Sequence, residues 1–239
     1  MKLEKGEIGG IKFFYREGFS DAKTFIEVLK QDCYQKKGMA IKSNESWLDC
    51  GANVGAFSLL AASKGASTIC YEPDPYSCEM IEKNLKLNGF QNAVKIKEVA
   101  LVHDERKSTI LTIGPNGGVW RNSIMHKGIR KKGIKVPCVN FETQANLADN
   151  CKMDIEGAEI AILTNSNPTF KKFVYEWSFD YDRYIPHLWK VMEKQEKIYC
   201  LKHNESSTFF STRKQTYWQH NMFPMSAIIY CFSLCADLT

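Results

Sequence analysis

The sequence is short of the features that mark several large classes of protein. Its nine cysteines form no Cys-x-x-Cys pair, which removes the spacing of a zinc ribbon or a redox dithiol. Scattered from Cys33 to Cys235, they read as reduced thiols. The longest apolar run is 227–234, against the roughly 20 residues that cross a bilayer. The first ten residues are charged and Gly-rich rather than an apolar leader. A cytoplasmic protein without a membrane span is therefore expected. Histidine is scarce, with five in 239 residues, and none joins Asp154, Glu156 and Glu159 at ligand spacing, so no metal is expected. Acid is missing from one long stretch: from Arg106 to Phe141 there are eight Lys or Arg and no Asp or Glu. The whole net charge of +5 thus resides in that stretch, and the remainder is slightly acidic.

What is present is an alternation of strand and helix patterns. Ile11–Tyr15 reads as a strand, and an amphipathic helix follows from Ser20 to near Gly38. Trp47–Cys50, Thr68–Tyr71 and Ala93–Val99 are short apolar strands. They are separated by helices over Ala56–Lys64 and Tyr76–Leu87, a β-α-β-α-β series of parallel type. Ser108–Ile113 and Ile134–Val139 alternate like the arms of an inserted antiparallel hairpin. Regularity resumes with a strand at Cys151–Ile155, a helix through Leu163, a strand at Phe173–Trp177, a helix over Asp182–Lys197 and late strands at Ile198–Leu201 and Ala227–Phe232. A polar, aromatic loop separates the last two. With no repeat or linker, one domain spans 1–239: an N-terminal strand and helix (1–43), a core (44–177) with an insert at about 106–141, and a C-terminal part (178–239).

Asp49-Cys50-Gly51-Ala52-Asn53-Val54-Gly55 lies between a strand and a helix N-terminus, where glycines let backbone approach a ligand. Glu72 closes the next strand, 17 residues after Gly55, placed to accept from both ribose hydroxyls of a nucleoside. The glycines do not follow Gly-x-Gly-x-x-Gly, and Asp49 would repel a diphosphate while suiting an amino-acid ammonium. The pattern fits S-adenosylmethionine better than NAD.

These segments, with Glu72-Pro73-Asp74-Pro75, Ala100-Leu101, Val136-Pro137 and Lys152-Met153-Asp154-Ile155-Glu156-Gly157-Ala158-Glu159, resemble the FkbM-type S-adenosylmethionine-dependent methyltransferases over about residues 44–177. The resemblance implies a three-layer α/β, Rossmann-like class I methyltransferase fold. Its sheet has seven mostly parallel strands, the last antiparallel. The resemblance also implies O-methylation of a hydroxyl on a sugar, glycan or related metabolite. By position, Asp49, Gly51, Ala52, Asn53 and Gly55 hold the methionine moiety, Glu72 the ribose, and Pro73 with the backbone near Ala100 the adenine. Asp154 is the first candidate for the base that accepts the hydroxyl proton, Glu156 the second, and Lys152 stabilises the charge. Arg121, Asn122, Ser123 and Glu176 are candidates for acceptor contacts, the insert forming a lid. Two other readings remain: an RNA 2′-hydroxyl methyltransferase, disfavoured because the basic strip lacks interleaved aromatics, and a non-catalytic nucleotide-binding scaffold.

Overall fold

The computed structural model describes residues 2–36, 38–113, 122–125, 133–178, 197–202, 208–212, 215–216 and 226–232, with side chains as far as Glu176. Arg121, most of the basic insert and residues 182–196 of the helix expected over 182–197 lie outside the described residues, while Lys197 begins a strand.

The chain opens with a hairpin, β1 (Leu3–Ile8) and β2 (Ile11–Arg16). Gly9 and Gly10 form its two-residue turn with φ of 59° and 81°, the left-handed pair that such a turn requires. β1 was not anticipated, because its apolar residues are only half buried and charges intervene. Next come α1 (Asp21–Phe25) and a single π turn (Ile26–Lys30), where an unbroken helix to Gly38 was expected. Asp21 accepts from Arg16 Nε at 2.7 Å and Nη2 at 2.8 Å, a buried two-pronged pair that fixes the hairpin to α1.

The core then alternates: β3 (Ser46–Cys50), α2 (Ala56–Ser63), β4 (Ser67–Tyr71), α3 (Pro75–Asn88) and β5 (Val94–Lys97). α3 has regular ends. Asp74 caps it by accepting from Tyr76 N at 3.1 Å, Pro75 opens it, and Gly89 at φ 73° closes it. β6 (Ala100–Val102), β7 (Ser108–Thr112) and β8 (Gly133–Asn140) follow. β7 and β8 pair antiparallel as the expected hairpin, and β8 also pairs parallel with β6 to make a three-stranded side sheet. α4 (Glu142–Ala145), β9 (Asn150–Met153), α5 (Ala158–Asn165), β10 (Lys172–Ser178), β11 (Lys197–Lys202), β12 (Thr208–Thr212), β13 (Gln215–Thr216) and β14 (Ser226–Phe232) complete the described chain.

The main sheet runs β13-β12-β11-β14-β10-β9-β3-β4-β5. Its last seven members are the expected seven-stranded sheet, with β14 antiparallel to both neighbours. β12 and β13 add two strands in the segment read as a loop. Along β3, Trp47 packs with Phe57 and Leu59 on one face, while Leu48 and Cys50 pack with Cys151, Met153 and Tyr175 on the other. That period of two buries the sheet on both faces, as parallel strands require. Because β4 lies on one side of β3 and β9 on the other, the chain reverses direction of travel at β3, and a crevice opens beyond the strand ends there.

Candidate active site

Three strand ends converge on that crevice. After β3 the chain turns at Gly51 (φ 78°), where an added Cβ would lie 1.8 Å from the Asp154 carbonyl oxygen. No side chain fits, so glycine here brings the loop against the exit of β9. Asp154 N donates to Cys50 O at 2.9 Å, and Gly51 N donates to Tyr71 O at 2.9 Å. Gly55, at φ 85°, starts α2 and rests against Ile81. It serves the close approach of α2 to α3 and is not part of the cavity wall. At the end of β4, Glu72 accepts from Asn53 N at 2.8 Å and Asp74 N at 2.9 Å. Burial nevertheless pushes its carboxyl up to about 8, against the pull of those two amides.

The pairing register explains the charges beneath the loop. Asp49 on β3 lies directly opposite Lys152 on β9, so the two side chains share a face. Lys152 Nζ sits 3.1 Å from Asp49 Oδ1 without hydrogen-bond alignment and donates to Gly51 O at 2.7 Å. Ser58 Oγ donates to Asp49 Oδ2 at 2.8 Å. Burial lowers the lysine's affinity for its proton, but Asp49 and Asp154 outweigh it and hold the ammonium above its ordinary range. Asp49, expected to meet the methionine moiety, is fully buried and does not line the cavity. Lys152, expected to stabilise charge during the reaction, lines the cavity and donates to the loop carbonyl of Gly51. Asp49 reaches that loop only through Lys152.

Asp154 is placed differently. It is half exposed to the cavity, and Tyr34 Oη donates to its Oδ2 at 2.8 Å. Tyr34 comes from the N-terminal segment and was not foreseen. An aromatic residue after a helix carries no sequence signal for such a contact. Glu156 also lines the cavity, and its φ of 53° is left-handed, a strained state that tends to cluster at functional sites. Its carbonyl accepts from Ser123 Oγ at 2.6 Å. Asn122 Nδ2 donates to Asp74 Oδ2 at 3.3 Å. These two residues of the insert bind it to both sides of the crevice. Phe57 is a core side chain, edge-on to Trp47 and Tyr34, with part of its ring on the cavity.

The crevice encloses about 430 Å³, within the range of small-molecule sites. Gly51, Ala52, Asn53, Glu72, Pro73 and Ala100 all contribute to its wall, as does Glu176 at the end of β10. Asn53 Oδ1 is buried there with no hydrogen-bond partner among the described residues. No group of three or more His, Cys, Asp or Glu with metal-binding geometry occurs among the described residues.

A glycine loop, an acidic second strand end and a sheet with its seventh strand reversed define the cofactor domain of a class I methyltransferase. The model for the FkbM methyltransferase domain matches residues 49–199, and the chain belongs to that family of S-adenosylmethionine-dependent methyltransferases. It is 23% identical over 249 aligned residues to the methyltransferase sdnD of Sordaria araneosa, covering 90% of this chain and 88% of that one. It is 32% identical over 98 residues to an uncharacterized protein of Methanocaldococcus jannaschii, covering 37% of this chain and 38% of that one. Among solved structures, it aligns with the FkbM methyltransferase of Methylobacillus flagellatus KT at a TM-score of 0.49 and 13% identity, over 83% of this chain and 46% of that one. It aligns with the tRNA (uracil-54, C5)-methyltransferase of Pyrococcus abyssi, solved with S-adenosyl-L-homocysteine, at a TM-score of 0.49 and 10% identity, over 97% and 44%. The chain thus spans less than half the length of the archaeal relative and of both structures.

The residues present fit S-adenosylmethionine. Gly51 lines the cavity with bare backbone, Asn53 presents an unsatisfied acceptor, and Glu72 is a buried carboxyl at a cavity wall. No helix among the described residues is long and apolar enough to cross a membrane.

Proposed function

We propose that the chain transfers the methyl group of S-adenosylmethionine to a hydroxyl of a sugar, glycan or related small metabolite in the cytoplasm. The observation that carries this reading is the Asp154 carboxylate, exposed to the cavity and adjoining the Gly51 turn. S-adenosylmethionine supplies the methyl as an electrophile on a positively charged sulfur. Asn53 and the Gly51 loop hold its amino-acid end, Glu72 its ribose, and Pro73 with Ala100 its adenine.

The protein's own work is orientation, exclusion of water and removal of one proton. When bound, S-adenosylmethionine would give up the methyl to the acceptor oxygen and keep the electron pair of the broken carbon–sulfur bond. The hydroxyl proton passes to Asp154, which is the base. Glu176 and Glu156, which also line the cavity, orient further hydroxyls of the acceptor. Carboxylates at these positions favour neutral, hydroxyl-rich acceptors over phosphorylated ones.

A screen with methyl-labelled S-adenosylmethionine against deoxysugar glycosides, nucleosides, RNA and small phenols tests the reading. Labelling of glycosides, lost in Asp154→Ala with S-adenosylhomocysteine affinity retained, is the expected result. Transfer to RNA alone, or full activity in Asp154→Ala, overturns it.

A further inference from the structure

We propose that Tyr34 is a positioning residue that aims Asp154 at the acceptor, an assignment that rests on Asp154 being the base. Tyr34 lies upstream of residues 49–199, where the family match falls, so it belongs to this chain's own N-terminal segment. A turn delivers it: Asp32 adopts φ 56°, Gln35 N donates to Asp32 O at 3.3 Å, and Gln35 Oε1 accepts from Ile41 N at 3.1 Å. The turn is thus tied at both ends, and the ring is buried between them, with 7% exposure.

Three contacts fix the ring. Its edge meets Phe57 at 5.9 Å and 85°, Lys152 Nζ stands 5.3 Å from its centroid, and its hydroxyl donates to Asp154 Oδ2 at 2.8 Å. Burial and the Asp154 charge hold the phenol proton on, so Tyr34 remains a donor. The bond occupies one carboxylate oxygen. That leaves Oδ1 as the oxygen for the acceptor proton. A carboxylate on its single methylene would otherwise rotate, and one rotation about its terminal bond would exchange its oxygens. The same ring covers Lys152 and grips Asp154, so the two functional residues of the Lys-x-Asp element are held in register by one aromatic side chain.

The hydroxyl is the group to remove. Tyr34→Phe keeps the ring, its packing on Phe57 and its face toward Lys152. Expected are a still cooperatively folded protein with unchanged S-adenosylhomocysteine affinity, and kcat on the best glycoside acceptor lowered about tenfold, the scale of one hydrogen bond to a charged group. In an Asp154→Ala background the same change adds no further loss, because Tyr34 acts only through Asp154. The split between kinetic constants separates positioning from mere architecture: the acceptor KM stays within about twofold in Tyr34→Phe while kcat falls. An unchanged kcat in Tyr34→Phe, with Asp154→Ala inactive, overturns the assignment. Full activity in Asp154→Ala instead refutes Asp154 as the base and leaves the Tyr34 contact as architecture.

Discussion

Lys152→Met removes the ammonium between β3 and β9 while keeping most of the volume. Asp49 is then a fully buried carboxylate whose remaining partner is the Ser58 hydroxyl, and the Gly51 carbonyl loses its 2.7 Å donor. Breaking one side of a buried pair costs about 3–5 kcal/mol. For a chain of this size each kcal/mol lowers Tm by roughly 2–4 °C, so a fall of about 6–20 °C is expected. The sign of the pH dependence follows from the ammonium's affinity for its proton, held above its ordinary 10.5 in the folded state. Such a group contributes stability that is complete below the unfolded value and is lost as pH rises through the folded one. The deficit of the variant should therefore be constant from about pH 6 to 9. Urea unfolding at several pH values measures it, with S-adenosylhomocysteine titration reporting the loosened loop as weaker binding. The double variant Asp49→Asn/Lys152→Met should recover at least half of the loss, because the uncompensated charge is gone. A deficit under about 1 kcal/mol, within reach of an exposed pair, together with unchanged cofactor affinity, refutes the claim that this pair supports the loop.

Glu72 titrates near 8 in the folded protein because it is buried. Since the ribose hydroxyls donate to the charged form, S-adenosylhomocysteine affinity should rise by up to about tenfold per pH unit from pH 6 to 8 and then level. Glu72→Gln should flatten that dependence in calorimetric titrations. By the same linkage the unliganded protein loses stability as pH rises from the ordinary 4.5 toward about 8, since the folded state binds the proton more tightly there. Gly51→Ala places a methyl 1.8 Å from a backbone oxygen at φ 78°. It should abolish cofactor binding, and ordinary affinity in that variant would show that the loop moves freely. Ser123→Ala removes the 2.6 Å bond to the Glu156 carbonyl. A loss of about 1 kcal/mol should appear as roughly fivefold weaker cofactor binding, and an unchanged titration would mean that the insert's bond to Glu156 does not support the pocket.

The fold was legible wherever a local pattern has one structural outcome. Trp47–Cys50 running into Gly51, and Asp74-Pro75 before an amphipathic stretch ending at Gly89, specify strand, turn and capped helix by nearest-neighbour chemistry. β1 was missed because Leu3–Ile8 alternates only weakly, and its partner β2 is anchored on α3. There Asn84 Oδ1 accepts from Phe14 N at 2.7 Å and Asn88 Oδ1 from Lys12 N at 3.0 Å, contacts 70 and 76 residues apart in the chain. The helix expected through Gly38 stopped at Lys30 for a similar reason. The turn at Asp32 that ends it also delivers Tyr34 into the site.

The two halves of the site differ in the same way. The cofactor half is built from one β-α-β unit, so Gly51, Asn53 and Glu72 are close in sequence and their spacing is informative. Even there, the division of labour depended on register. Asp49 and Lys152 are 103 positions apart, and only the pairing of β3 with β9 turns two candidate contacts into one ion pair beneath the loop. The acceptor half is assembled from distant segments: Tyr34 before the core, Ser123 in the insert, Asp154 after β9, Glu176 on β10. No spacing rule links these positions, because each is brought in by a different element of the sheet or its edges. Such an assembly leaves the glycine loop and the acidic strand end unchanged when the N-terminal segment or the insert varies. On the proposed reading, the acceptor side of the crevice thus rests on contacts such as Tyr34 with Asp154 and Ser123 with Glu156, which cross between segments and lie outside the motif that identifies the family.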